Sequence, residues 1–212
     1  MAPDDDQITD AILSGSAYER LRLQRETYFS QSIPTKLTWQ SLLLAGLALL
    51  LPLWALYPAT VAEYVPATDP SLASPKVLLL GLIGAGVELF TAALLVGAAL
   101  YRIHRYPLTE DQARTVLNVE DFASYLGFGT GGLAIGITVL YFLIGAAGGS
   151  AIESYVQKMS SNPFEASGVG LSVAELATFA FVGCVVLMTL RLYLRYRLLA
   201  LKTDVADTAE SA

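Results

Sequence analysis

The sequence predicts an all-α integral membrane protein, a four-transmembrane-helix bundle with an N-terminal interfacial amphipathic helix. Three observations predict it. Of 212 residues, 54% are hydrophobic and only 15% charged, with a mean hydropathy of +0.53, where a soluble domain carries about a quarter charged residues. The apolar residues fall in four blocks, each near the roughly 20 residues that carry a helix across a hydrocarbon layer of about 30 Å. Finally, eleven of the thirteen Lys and Arg residues lie on one side of those blocks, as the positive-inside rule requires of a cytoplasmic face.

Composition also excludes. One cysteine (Cys184) and one histidine (His104) cannot make an internal disulfide, a cysteine–histidine zinc site, an iron–sulfur cluster or a bis-histidine haem. A net charge of −6 and a pI near 4.7 leave no basic face for nucleic acid. No serine or cysteine nucleophile has a histidine inside the apolar blocks. Catalytic residues, cofactors and metals are therefore not expected, and the chain reads as a non-enzyme.

Taken in order, residues 1–16 form an acidic tail opened by Asp4, Asp5 and Asp6, too polar to bury a core and unlike the basic start of a cleaved signal peptide. Residues 17–36 carry Tyr18, Leu21, Tyr28 and Phe29 at near-helical spacing among Arg22 and Arg25, the pattern of a cytoplasmic helix lying in the membrane interface or docking on a partner. The transmembrane domain is 37–193, with spans 37–57, 77–101, 125–147 and 171–193, and 194–212 is a cytoplasmic tail. Pro52 predicts a kink in the first span, whose leucines suggest a lipid-facing helix. Trp39, Tyr101 and Tyr193 suit the inner boundary; Trp54 and Tyr57 suit the outer.

Between spans, Pro58, Pro66, Pro70 and Pro75 make the first outer loop extended. Ile152, Tyr155, Val156 and Met159 predict a short amphipathic helix in the second, ended by Asn162-Pro163. Thr109 and Gln112 form a capping-box pattern for an inner helix from Glu110 to about Asn118, leading through Glu120-Asp121 into the third span. His104 and the group Arg191, Arg195 and Arg197 belong at headgroup level, the arginines suited to anionic lipids. Cys184 reads as a packing residue, and Glu175 sits at the outer end of the fourth span, about 10 Å from Glu88 in depth.

Glu88 stands out. It lies near the centre of the second span, where a charged group costs on the order of 3 kcal/mol. Thirteen Leu, Ile, Val and Phe residues in that span, at roughly 0.3–0.6 kcal/mol each, still carry the helix into the membrane. Gly81, Gly84, Ala85, Thr91 and Ala92 share its helical face, so another helix can approach closely. The third span offers the matching stripe Gly129, Gly132 and Gly136. Glu88 is expected between these two helices, with Thr91 as hydrogen-bond partner and the carboxyl neutral or paired to a cation. Gly84, Glu88, Thr91, Gly132 and Gly136 thus make the candidate packing or proton/cation site.

The run Gly81-x-x-Gly84-x-Gly86 with Glu88 resembles the ion-binding helix of rotary-ATPase proteolipid subunits. The resemblance covers one helix, four spans of this length depart from that pattern, and no family is recognised. Both glycine-rich runs lie in apolar helices without a Gly-Lys-Ser/Thr, so neither is a phosphate cradle. Four Lys against nine Arg, with Asp- and Glu-rich termini, is similar to the surface of proteins from high-salt cytoplasms. The expected role is an accessory, assembly or scaffold subunit of a membrane complex, multi-pass in the cell membrane with both termini cytoplasmic. Its partners would be the lipid bilayer and a membrane protein or further copies of itself. The alternative is a small oligomeric proton- or cation-coupled carrier or channel using Glu88.

Overall fold

Four helices are long and apolar enough to cross a membrane: Ile33–Ala55, Val77–His104, Glu110–Ala146 and Val173–Leu201. The structure is a computed structural model; it describes residues 16–25 and 28–210, with side chains through 201. It is all-helical at 75% helix, with no strand among the described residues. The acidic tail falls outside them but for Ser16.

A short helix, α1 (Ala17–Gln24), precedes the bundle. The first long helix is α2 (Ile33–Ala48) followed by α3 (Leu50–Ala55), with a break at Leu49. The break has a local cause. Pro52 has no N–H for the carbonyl of Ala48, and its ring crowds that carbonyl. The second long helix is α4 (Val77–His104), which buries Gly81, Gly84, Ala85, Glu88, Thr91 and Ala92 along one face, the face of small residues read from the sequence.

The third long helix starts earlier than expected. The Thr109–Gln112 capping box is present, but α5 (Glu110–Leu126) runs past Asn118 without interruption. It passes through a π turn (Gly127–Gly131) into α6 (Gly132–Ala146). Glu120 therefore sits on a buried helix face and not in a connecting loop. The fourth long helix, α8 (Val173–Glu210), continues through the stretch expected to be a tail. Its start is a second capping box: Ser172 Oγ accepts from the Glu175 amide and Glu175 Oε2 accepts from the Ser172 amide.

The first long helix is not the lipid-facing element its leucines suggested. It packs along α8 more extensively than any other pair of elements meets, and Leu37, Leu44 and Leu47 are fully buried. Leucine count cannot tell a helix facing lipid from one facing other helices, because both surroundings are apolar.

The chain end of the bundle that carries both loops is closed by those loops. α7 (Gly149–Met159) is capped at Ser160, in left-handed conformation, two residues before the expected Asn162-Pro163 stop. Asn162 instead ties the loops together through a hydrogen bond to the carbonyl of Tyr64. Lys76 pairs with Glu165, Ser74 with Ser167, and the Gly149 amide donates to Thr60. Beneath this clasp Trp54, Tyr57, Phe142 and Phe164 form one aromatic cluster. Trp54 is thus a buried side chain donating to the carbonyl of Thr68, not an outer-boundary anchor.

Candidate functional site

Two polar clusters occupy the otherwise apolar interior. The first is built around Glu88, which α4 delivers to the middle of the bundle with no solvent exposure. From α2, fully buried Gln40 reaches the same place and donates from Nε2 to Thr91 Oγ1 at 2.8 Å. The Thr91 hydroxyl in turn donates toward the backbone carbonyls of Val87 and Glu88, one turn back. Thr91 is therefore engaged with Gln40 and its own helix and is no partner of the Glu88 carboxyl.

The third wall is the π turn. A Cβ on Gly131 would stand 3.0 Å from Glu88 Oε1 and 3.2 Å from its Cγ and Cδ. One on Gly127 would stand 2.8 Å from Thr91 Oγ1, 3.1 Å from Gln40 Nε2 and 3.4 Å from Glu88 Oε2. Glycine at these two positions is what admits three polar side chains against the backbone. Gly84 makes the neighbouring contact, where a Cβ would lie 2.8 Å from Ile135 Cγ1 and 3.0 Å from the Gly131 carbonyl.

This register corrects the expected stripe. Gly129 and Gly136 have nothing within 4 Å of a Cβ position, and Gly132 only borders the site, 3.8 Å from Glu88 Oε1. The face toward α4 is instead Gly127, Gly131, Ile135 and Thr138, with Gly127 and Gly131 against Thr91 and Glu88, Ile135 against Gly84 and Thr138 against Gly81. Both stripes keep helical spacing, so periodicity alone does not choose between them.

Both Glu88 oxygens and Gln40 Oε1 are buried without a hydrogen-bond partner. All three are acceptors when the carboxyl is ionised, and the donor of the cluster is the Gln40 amide nitrogen, one of whose two N–H groups already serves Thr91. Leaving a charge in this state costs several kcal/mol, whereas one bound proton removes the charge and supplies an O–H donor. Among the described residues no three His, Cys, Asp or Glu come together as a metal site. The oxygens of Glu88, Gln40 and Thr91 suit a proton, or a hard cation, better than a soft metal.

The second cluster lies toward the end where α1 packs. Lys36 of α2 and Glu120 of α5 are both buried and approach to 3.8 Å. Tyr18 donates its hydroxyl to Glu120 Oε1 at 2.6 Å, with the Arg102 guanidinium 3.8 Å above the Tyr18 ring and bonded to Glu19. Burial, and then the Glu120 carboxylate, push the Tyr18 phenol above its ordinary ionisation range. Arg25 binds Asp121 and Asn118 at the rim. Tyr18, the aromatic side chain of α1, is therefore spent on this chain's own α5, while Tyr28 beyond the helix is exposed.

The sequence pattern does not mark Gln40 or Lys36, which fall at the start of the first apolar block and at the end of the 17–36 segment. A signal existed: Lys36, Gln40, Leu44 and Leu47 share one helical face, as do Glu120 and Ser124. The remaining residues of interest are placed as follows. His104 is exposed and bonds the Leu100 carbonyl. Cys184 is a half-buried free thiol, Arg195 and Arg197 are exposed, and Arg191 leans on Met188.

The chain matches no protein-family model, no curated protein and no solved structure. Function has to be argued from the site itself.

Proposed function

We propose that this is a polytopic membrane protein whose bundle holds a protonation site at Glu88, acting as a small proton-coupled carrier. One observation carries the reading: a fully buried carboxyl whose two oxygens have no hydrogen-bond partner, set against glycines that keep its surroundings open to the backbone. An intramembrane acid of this kind marks a proton or ion site by default. Two features favour this over the accessory role. Tyr18 and Ile152 of the amphipathic segments outside the spans pack within the chain, though Tyr28 and Met159 are exposed, and the interior carries Gln40, Thr91, Lys36, Glu120 and Ser124 besides Glu88. Basic residues at the α1 end would place that end in the cytoplasm, with Arg195 and Arg197 against anionic headgroups.

The accessory or scaffold reading keeps one observation in its favour. On the loop side of Glu88 the packing is apolar, with Leu47, Leu176 and the Thr138 methyl crowding Gly81, so the structure is closed there. The experiment that decides is dissipation of an imposed pH gradient by the chain reconstituted in vesicles. Gradient collapse that is lost in Glu88→Gln, with the fold intact, supports the carrier. No collapse by the wild type, together with a stoichiometric membrane partner on mild purification, would replace it with the accessory role.

A further inference from the structure

The two polar clusters are not independent in space. α2 and α5 run in the same direction, and their polar residues rise in step. Lys36 and Glu120 meet at one level. One turn further, about 6 Å along each axis, stand Gln40 and Ser124, both fully buried. At the next level Gly127 brings Gln40 and Thr91 against Glu88. Ser124 donates to the Glu120 carbonyl at 2.6 Å, which leaves its oxygen free to accept.

Below the Lys36–Glu120 pair the ladder reaches the surface. A cavity of about 20 Å³ is lined by Arg22, Arg25, Lys36 and Glu120, and by Ser30 and Gln31, which are exposed. A space of that size with several polar walls holds about one water molecule. On the other side of Glu88, among the described residues, Ile135 packs over Gly84 and Leu47 and Leu176 pack over Gly81, one and two turns away along α4. The charged and titratable groups facing the ladder are Tyr18 and Arg22 from α1, Lys36 from α2, Arg102 from α4, and Glu120 and Asp121 from α5.

Resting on the reading of Glu88 as a protonation site, we propose that its proton exchanges with water at the α1 end only, through the Lys36–Glu120 pair and the Ser124–Gln40 level. Glu120 and Ser124 are positioning residues that line the route: the proton moves on water between the α1 end and the Glu88 carboxyl, and no bond other than O–H forms or breaks. Lys36 holds the Glu120 carboxylate in the apolar interior as part of the polar wall.

The test is hydrogen–deuterium exchange at the Glu88 carboxylic acid, followed by infrared spectroscopy of the full chain in lipid, with the band assigned by its loss in Glu88→Gln. Ser124→Ala and the charge-neutral double variant Lys36→Met/Glu120→Gln are expected to slow exchange of that band at least tenfold. Thr138→Val, on the loop side, is expected to leave it unchanged. The double variant removes both charges, so it avoids stranding one of them, and Ser124→Ala gives an independent reading in a near-native interior. Slowing in Thr138→Val alone, or wild-type rates in both other variants, would overturn the route while Glu88 remained a protonation site. Absence of any Glu88 carboxylic-acid band in the wild type would overturn the protonation reading itself, and the route with it.

Discussion

Glu120 accepts a hydrogen bond from Tyr18 and faces Lys36, whereas Glu88, buried just as deeply in the same bundle, meets glycines and an amide already engaged with Thr91. One carboxylate has been given a cation and a donor; the other has been given room. A buried ion pair adds little net stability over an apolar pair but is destructive to break. A buried acid without partners can instead remain in the interior by taking up a proton. The contrast separates a carboxylate that holds elements together from one whose protonation state the fold leaves adjustable.

Breaking the pair should give the largest effect. Lys36→Met or Glu120→Gln alone strands a buried charge or its partner, and about 3–5 kcal/mol of stability should be lost in a denaturant titration in mild detergent. The double variant should recover most of it. If each single variant were as stable as the wild type, the pair would not be the structural element the geometry makes it.

Tyr18→Phe should follow, with a loss of about 1.5–3 kcal/mol for a hydrogen bond to a charged group. It also carries a pH signature. The folded state holds the Tyr18 proton more tightly than the unfolded chain, where the phenol titrates near 10.0. Its contribution is therefore complete below that pH and falls as pH rises beyond it. A spin-label distance between positions 20 and 114 should show α1 loosening above about pH 10 in the wild type. Tyr18→Phe should lack that pH dependence.

At the other cluster the glycines give the sharper contrast. Gly131→Ala places a methyl 3.0 Å from Glu88 Oε1 and should cost about 1–3 kcal/mol. Gly136→Ala, which points into open space, should stay within about 0.5 kcal/mol. Equal effects at the two positions would contradict the close approach of Gly131 to Glu88. The smallest change is expected from Glu88→Gln, within about 1 kcal/mol of the wild type, because a neutral carboxyl and an amide are close in size and polarity. A loss as large as that of Glu120→Gln would make Glu88 an ionised, paired group.

Much of this fold was legible in the sequence. The four apolar blocks, the Thr109–Gln112 cap, the break ahead of Pro52 and the small-residue face of Glu88 all follow from local chemistry that acts within a turn or two. The misreadings share a different origin. Lys36 and Gln40 sit where the first apolar block begins, and only the packing partner decides whether such residues face water, lipid or a buried carboxylate. Asn118 looked like a helix end because Glu120 and Asp121 follow it, yet Glu120 is buried against Tyr18 from a hundred residues earlier. Gly127, Gly131, Ile135 and Thr138 keep helical spacing just as Gly129, Gly132 and Gly136 do, so periodicity alone does not say which of the two faces meets Glu88.

The seam between α2 and α8 sets a timetable for assembly. Val173 follows Ile33 by 140 residues, so at about 5–20 residues per second α2 waits on the order of ten seconds for its main neighbour to be synthesised. During that interval Leu44 and Leu47 have no helix to cover them from that side. Lys36 meets Glu120 much sooner, since α5 emerges while α8 is still inside the ribosome. The ion pair is then an early latch that holds the first helix upright until the fourth arrives to close the bundle.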